Sequence, residues 1–387
     1  MRDPAELVVR LPRTIVLLCL AATVALALVA RGVRIEGSIE SVLPANDPGV
    51  QYYADVRATF GSDDIAVVGV RADDLFTPAT LTRIAQVTDQ LAALPGVERV
   101  LSLTNTVDVA ADVFKPPPLL PNIPPSPAEI GGLKAKLAAT PLYAQNLVAP
   151  DQRGAAINIF LKPLSDAEYD DLAIDENIQA ILDAEPGPVQ FYYTGASHVG
   201  KVAVQLMRLD LLRFTPLALV LVLLILWLSF RRIRAVVLPL VAVLLAVVWT
   251  IGIMVLAGKS ITLGTFVLPP LLLVMGSVSA MHVVAAYYEA LGDGRRPADA
   301  VVTGLRSIRS PLLISSLTAS IGFASLMTNQ ITAVWDLGIF SVVGLACIAF
   351  ISLVFLPAAL QVWSAAAGRA AAARPAAVVE RLMGQLG

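Results

Sequence analysis

Six apolar runs constrain this chain more than any other feature of its sequence. Each is long enough to cross a bilayer, for which about 20 residues suffice at a rise of about 1.5 Å per residue. Because the hydrocarbon core offers the backbone no water, such runs predict membrane helices. The predicted spans are 14–30, 214–230, 235–256, 261–288, 311–327 and 337–362.

The composition agrees with a membrane protein. Hydrophobic residues make up 57% of the chain and charged residues 15%, whereas about 25% of the residues of a soluble protein are charged. The net charge of -2 gives no indication of a nucleic-acid partner. Cys19 and Cys347 lie in apolar runs, and the two histidines are His198 and His282. The sequence therefore predicts no disulfide, metal site or cofactor.

The first apolar run has two interpretations. A basic start with Arg2 and Arg10, followed by an apolar core, also fits a signal peptide. The run is long for that role, and the sequence VARG at 29–32 makes a poor cleavage site. These features favour a retained first membrane helix, so residues 1–30 are predicted to be a cytoplasmic N-terminus and span.

Residues 31–213 are predicted to form a soluble domain, because most of the Asp and Glu residues lie there. Its pattern predicts two β-α-β units and hence an α+β, ferredoxin-like fold of one or two layers. The proline-rich stretch 115–127 between the units predicts an extended linker. The predicted strands are 65–70, 97–103, 155–161 and 189–193, and the predicted helices are 78–94, 166–184 and 196–213.

Lys and Arg residues predict the orientation of the spans. They concentrate at the N-terminus, at 231–234, at 292–309 and in the tail 364–387, which the positive-inside rule places in the cytoplasm. Residues 31–213 then lie outside, between the first two spans. The stretch 292–309 is predicted to be an amphipathic elbow along the membrane face.

One span, a large outer domain and five clustered spans resemble one half of an RND-superfamily transporter, within it the MMPL or hydrophobe-exporter branch. The resemblance covers nearly the whole chain. The motifs that carry it are SVLP at 41–44, FGSDD at 60–64, GSVSAMH at 276–282, PLLISSLTASIGFASL at 311–326 and the sixth span at 336–358.

This resemblance implies a porter-type outer domain and proton-driven export of a hydrophobic or lipid-like substrate. It also implies a bacterial inner membrane, a homo-oligomer or a second RND half, and a periplasmic accessory protein as a further partner. Family members often place Asp and then Tyr in the fourth span, where this chain has Val278 and Ser279. Many relatives carry two halves in one chain, so an oligomer and a longer protein are both consistent with the resemblance.

Small polar residues in the fourth and fifth spans are the candidate proton-relay groups. Ser279 and His282 share a helical face, and imidazole exchanges protons near neutral pH. Equally, a neutral histidine can bond a carbonyl or headgroup water, and serines can pack helices closely or bond their own i−4 carbonyls. The relay candidates are Ser277, Ser279, His282, Ser316, Thr318 and Ser320.

Four residues are candidate hinges. Pro269 and Pro270 are expected to break or kink the fourth helix, either as a moving hinge or as a static bend. Gly276 is a third hinge candidate, and Gly322, the fourth, is expected to allow a close neighbour.

The sequence shows no nucleophile–base pair, phosphate loop or metal constellation, so an enzyme is not predicted. The acidic pairs at 63–64, 73–74 and 170–171 are expected to be solvated charges. His198 is expected in the turn that begins the pre-membrane helix. The alternative to a transporter is a sterol-sensing-like or scaffold subunit of a larger complex.

Overall fold

The structure is a computed structural model that describes residues 8–37, 44, 48–60, 64–108, 114–140, 143, 146–164, 166–185 and 187–366. It divides the chain into two compact units, a helical unit of residues 1–45 and 204–387 and an α/β unit of residues 46–203. Three predicted regions lie largely outside the described residues. These are 41–44, 61–63 of the FGSDD motif and the tail 364–387.

The described residues form helices and four strands. They are α1 (Pro12–Ala30), α2 (Pro48–Phe60), β1 (Ile65–Arg71), α3 (Pro78–Ala92), β2 (Val97–Leu101), α4 (Pro127–Ala139), β3 (Gly154–Leu161), α5 (Asp166–Asp171), α6 (Ile174–Asp183), β4 (Gln190–Gly195), α7 (Ala196–Phe230), α8 (Ile233–Leu256), α9 (Leu268–Gly292), α10 (Pro297–Ala324), α11 (Thr332–Phe350) and α12 (Leu356–Ala366).

Six helical segments among the described residues are long and apolar enough to cross a membrane, as the sequence predicts. Helices α8, α9 and α11 form the centre of the helical unit and are roughly half buried, while α1, α7 and α10 are mostly exposed. Helix α9 packs against α8, α10 and α11. Helix α1 packs on α8, where the Trp249 indole donates a 2.8 Å hydrogen bond to the Thr23 hydroxyl.

Two predicted boundaries in the helical unit are wrong. Helix α10 runs unbroken from Pro297 to Ala324, so 292–309 is not a separate elbow. The reason is packing: a Cβ atom at Gly304 would lie 3.1 Å from the Ala286 carbonyl oxygen, so only glycine lets α10 lie directly against α9 here. Likewise, the predicted helix 196–213 and the second span are one helix, α7.

The Pro269–Pro270 pair does not kink the fourth span. Both prolines lie at the first positions of α9, after a 3-10 turn at Thr265–Val267. An amide in the first turn of a helix has no intrahelical partner, so proline sacrifices no bond there. The prediction of a close neighbour at Gly322 is wrong, because nothing lies within 4 Å of a Cβ atom built there. A close neighbour is found instead at Gly276, where a Cβ atom would lie 3.1 Å from Val243.

The α/β unit contains a four-stranded antiparallel sheet with the order β2-β3-β1-β4. The central strands pair Val68 with Ile157, and both side chains are fully buried. Helix α3 packs on β2, β3 and α6. Its predicted N-cap is confirmed, because the Thr77 hydroxyl accepts a 3.1 Å hydrogen bond from the Thr80 amide.

The second half of this unit differs in detail from the prediction. The helix expected at 166–184 is divided into α5 and α6, because Ala173 adopts a left-handed conformation with φ of 49°. Strand β4 continues to Gly195, and His198 lies in α7 rather than in a turn. The proline-rich stretch is anchored, since the Pro117 carbonyl accepts a 2.7 Å hydrogen bond from the Asp108 amide.

The two glycines Gly264 and Gly322 test this packing. A Cβ atom at Gly264 would lie 2.5 Å from the Ala333 carbonyl oxygen, which is backbone and gives way only if α11 moves. We expect Gly264→Ala to destabilise the protein by about 1–3 kcal/mol. The matched Gly322→Ala should be neutral or stabilising by up to about 1 kcal/mol, because its site is open and alanine favours helix. Thermal unfolding in mild detergent compares them, and equal effects would contradict this packing.

Candidate functional site

The candidate relay residue His282 lies on the uncovered side of α9. The exposed positions of this helix recur every three or four residues and so form one face, which we call the open α9 face. His282 is about 15 Å from the C-terminal end of α9 at a rise of about 1.5 Å per residue. The open α9 face comprises Val274, Val278, His282, Ala285 and Glu289, and Ser277 and Ser279 lie half-buried beside it.

The candidate hydroxyls bond to their own helices. Ser277 donates to the Val274 carbonyl at 2.7 Å, and Ser279 donates to the Met275 carbonyl at 3.2 Å. On α10, Thr318 donates in the same way to its i−4 carbonyl at 2.9 Å. Over the described ranges, no hydrogen bond links the relay candidates of α9 to Ser316, Thr318 or Ser320.

An ion pair between a partly exposed lysine and a buried carboxylate joins the turn after α8 to the start of α11. The Lys259 ammonium lies 3.0 Å from Oδ1 and 3.1 Å from Oδ2 of Asp336, and the Asp336 side chain is only 5% exposed. The approach of Gly264 to the Ala333 backbone brings the two segments together. The sequence placed Asp336 near the end of the sixth span but gave no indication of its partner, because the two residues are distant in the chain.

Removal of Lys259 alone should destabilise the protein more than removal of both members of the ion pair. In Lys259→Met the buried carboxylate loses its cation, and we expect a loss of about 2–3 kcal/mol. The double variant Lys259→Met/Asp336→Leu should recover most of this, because no buried charge remains. Thermal unfolding in detergent measures both, and a double variant as unstable as the single one would contradict this account.

A second polar cluster lies in the α/β unit around Asp175, the second residue of α6. Its Oδ1 atom accepts hydrogen bonds of 2.7 Å from the hydroxyls of both Tyr169 and Tyr193. Its Oδ2 atom lies 2.8 Å from Nδ1 of His198, whose ring is 4.3 Å from that of Tyr193. This Asp175 cluster ties α5, α6, β4 and the first turn of α7 together.

The surroundings of Asp175 favour its charged form. Burial acts to raise the pKa of Asp175, but hydrogen bonds from Tyr169, Tyr193 and His198 outweigh burial and hold this pKa below its ordinary value. Burial, together with the hydrogen bond to Asp175, raises the pKa of both tyrosines, so they stay neutral donors. Beside the cluster, Lys201 lies 2.9 Å from Glu176 and 3.1 Å from Asp170.

Sequence reasoning missed the Asp175 cluster. Its members come from four elements, and their spacing matches no motif. One feature of the sequence could have indicated it: Tyr, Asp and His side chains lie among apolar positions that helical or strand periodicity would bury.

The Asp175 cluster predicts a specific dependence of stability on pH. The pKa of Asp175 is depressed on folding, so its contribution is complete above the ordinary carboxyl pKa of about 4 and is lost as the pH falls through the folded-state value. We expect Asp175→Asn to lose about 1–3 kcal/mol at neutral pH. This variant should also show a flatter stability profile below about pH 5.

Near-ultraviolet circular dichroism of the full chain in detergent follows the unfolding of this tyrosine-rich region across pH. The control is Asp171→Asn, the same change at an exposed residue nearby. If both variants behave alike, the Asp175 cluster does not supply the pH-dependent stability.

The acidic pairs are only partly solvated. The exposed carboxylates of Asp73 and Asp170 pair with Arg153 and Lys201, as expected for surface charges. In contrast, Asp64 accepts a hydrogen bond from the Ser197 hydroxyl. No group of three His, Cys, Asp or Glu side chains that could hold a metal is found in the part of the chain that the structure describes.

The elements together define a polytopic helical membrane protein with an α/β unit between its first and second spans. The model of the MMPL family matches residues 43–382, and the chain belongs to this family. The chain is also 23% identical over 366 residues to the Methanocaldococcus jannaschii protein named "putative membrane protein MJ1562". This similarity covers 91% of the chain and 90% of that protein, so the two have similar lengths.

Proposed function

We propose that this protein is an RND-type transporter that exports a hydrophobic or lipid-like substrate across a bacterial inner membrane, driven by the proton gradient. Membership of the MMPL family supports this proposal. Under this proposal, residues 46–203 serve as the porter-type domain outside the membrane. A ferredoxin-like fold of this unit is supported by the sheet order, in which β3 lies between β1 and β2 as in a split β-α-β arrangement.

The observation that carries the proposal is the open α9 face. Helix α9 is central in the bundle, yet within the described residues this face is left exposed, and it carries an imidazole in an apolar span. Polar side chains at membrane depth are costly and normally face a protein interior or a water path. A second RND half, or a second copy of the chain, would supply that cover.

His282 is the proposed proton carrier, with Ser279 beside it. Val278 occupies the place where relatives often carry Asp, and the Asp336 carboxylate is already held by Lys259. An imidazole changes its charge near neutral pH and suits this role.

One observation favours the alternative of a non-transporting scaffold or sterol-sensing-like subunit. The hydroxyls of Ser277, Ser279 and Thr318 are engaged by their own helix carbonyls, which is how serine and threonine behave when they only pack. A relay would require these hydroxyls to turn toward His282 or water.

Transport in proteoliposomes distinguishes a transporter from a non-transporting scaffold. With a short-chain fluorescent phospholipid as probe and an imposed pH gradient, we expect His282→Ala to reduce gradient-driven movement about tenfold or more, because the proton-transferring group is gone. Ser279→Ala should reduce it less.

The control is Ser315→Ala, the loss of an exposed hydroxyl on α10 outside the open α9 face. It should transport like the wild type, and an ionophore that collapses the gradient should abolish movement in all of them. Unchanged transport in His282→Ala would remove His282 from the coupling, and no transport by the wild type would favour the scaffold.

A further inference from the structure

The turn between α7 and α8 has an unusual backbone for its sequence. Arg231 follows the last residue of α7 with φ of 48°, in the left-handed region that side chains other than glycine rarely adopt. The corresponding turns after α8 and α9 use Gly258 and Gly294, with φ of 70° and 81°. An arginine at such a position is strained, and this turn keeps a cationic side chain where glycine would fit better.

Aromatic side chains next to the turn contact one of its arginines. The Arg232 guanidinium lies 5.4 Å from the centre of the Tyr288 ring, against which the Phe230 ring also packs at 6.4 Å. Arg234, the third arginine of the turn, is partly exposed. Arg232 thus lies against an aromatic ring from the end of α9, while the Arg231 side chain of the same turn is exposed.

This end of the helical unit is strongly basic. Helices α8 and α10 begin here and α7 and α9 end here, and the Gln361 amide of α12 donates to the Val9 carbonyl just before α1. Among the described residues, the acidic side chains at this end are Glu289, Asp293 and Asp299. The described arginines there are Arg10, Arg13, Arg231, Arg232, Arg234, Arg295, Arg296, Arg306 and Arg309.

The apolar surface beside the turn fits an acyl chain. On the last turns of α7, Leu224, Trp227 and Leu228 are each about half exposed, in a span whose surroundings are lipid. Trp and Tyr side chains concentrate at the level of lipid headgroups, which places the arginines of the turn at phosphate depth.

We propose that residues 231–234 bind the phosphate of an anionic phospholipid, with its acyl chains along the exposed end of α7. Guanidinium groups match phosphate oxygens in geometry and charge, and each basic side chain near a membrane surface favours anionic lipid. The site is independent of the transported substrate and does not include His282. It would anchor the α7–α8 turn in the leaflet at the basic end of the bundle.

Native mass spectrometry of the full chain in mild detergent tests the site, with phosphatidylglycerol, phosphatidylcholine and inorganic phosphate as separate probes. We expect wild type to bind phosphatidylglycerol more tightly than phosphatidylcholine. Arg231→Gly and Arg234→Gln should each weaken phosphatidylglycerol binding about fivefold, the effect of one basic side chain at a membrane surface. Arg231→Lys should retain most of the affinity, since it keeps the charge.

The matched control is Arg213→Gln, which removes an exposed arginine of the same helix about 25 Å away at about 1.5 Å per residue. It should bind phosphatidylglycerol like the wild type. Arg231→Gly relieves backbone strain, so its thermal stability without added lipid should be at least that of the wild type, which separates lost binding from lost folding.

Three results would overturn the proposal. Equal weakening by Arg213→Gln would mean that only the total charge matters. Full binding by Arg231→Gly and Arg234→Gln would place the lipid elsewhere. Binding of inorganic phosphate as tight as that of phosphatidylglycerol would indicate a general anion site without an acyl-chain contribution.

Discussion

The hydrocarbon core offers the backbone no water, and the helical unit follows from that constraint. Every amide and carbonyl in a span must find a partner within the protein, so the apolar runs form helices that satisfy themselves. Hydroxyl side chains obey the same rule: Ser277, Ser279 and Thr318 turn to carbonyls of their own helices. Pro269 and Pro270 lie in the first turn of α9, where a missing amide proton is harmless. Before Pro357, which also lacks this proton, the chain makes a π-helical turn at Ile351–Phe355.

Among the described residues, the buried carboxylates of Asp336 and Asp175 each have partners within reach. Asp336 is enclosed at the end of the bundle and faces the Lys259 ammonium, which is partly exposed and arrives from a turn. Asp175 is enclosed in the α/β unit and has two tyrosine hydroxyls and an imidazole around it. His282 differs from both, because no hydrogen bond to it is found among the described residues and it lies on the open α9 face. That contrast is why the proposed transport function centres on this residue and on a second half that covers it.

Much of the fold could be predicted from local patterns, and most of the candidate site could not. Hydropathy located all six spans, and capping chemistry located the start of α3 at Thr77. The errors arose where tertiary contacts decide. Packing of Gly304 on α9 extends α10 through the expected elbow, and a left-handed Ala173 divides a predicted helix. Neither the Lys259–Asp336 pair nor the Asp175 cluster has a sequence signature, because each joins residues from separate elements.

The sequence by itself determined the membrane class, the number of spans, the α/β character of residues 46–203 and the family resemblance. Each of these depends on composition and on periodicities of two or 3.6 residues, which are local properties of a chain. Only the tertiary structure decided which face of α9 is left open, which glycines are in close contact, and which cation lies against Asp336. These features depend on distances between segments far apart in sequence, and such distances are set by how the helices pack.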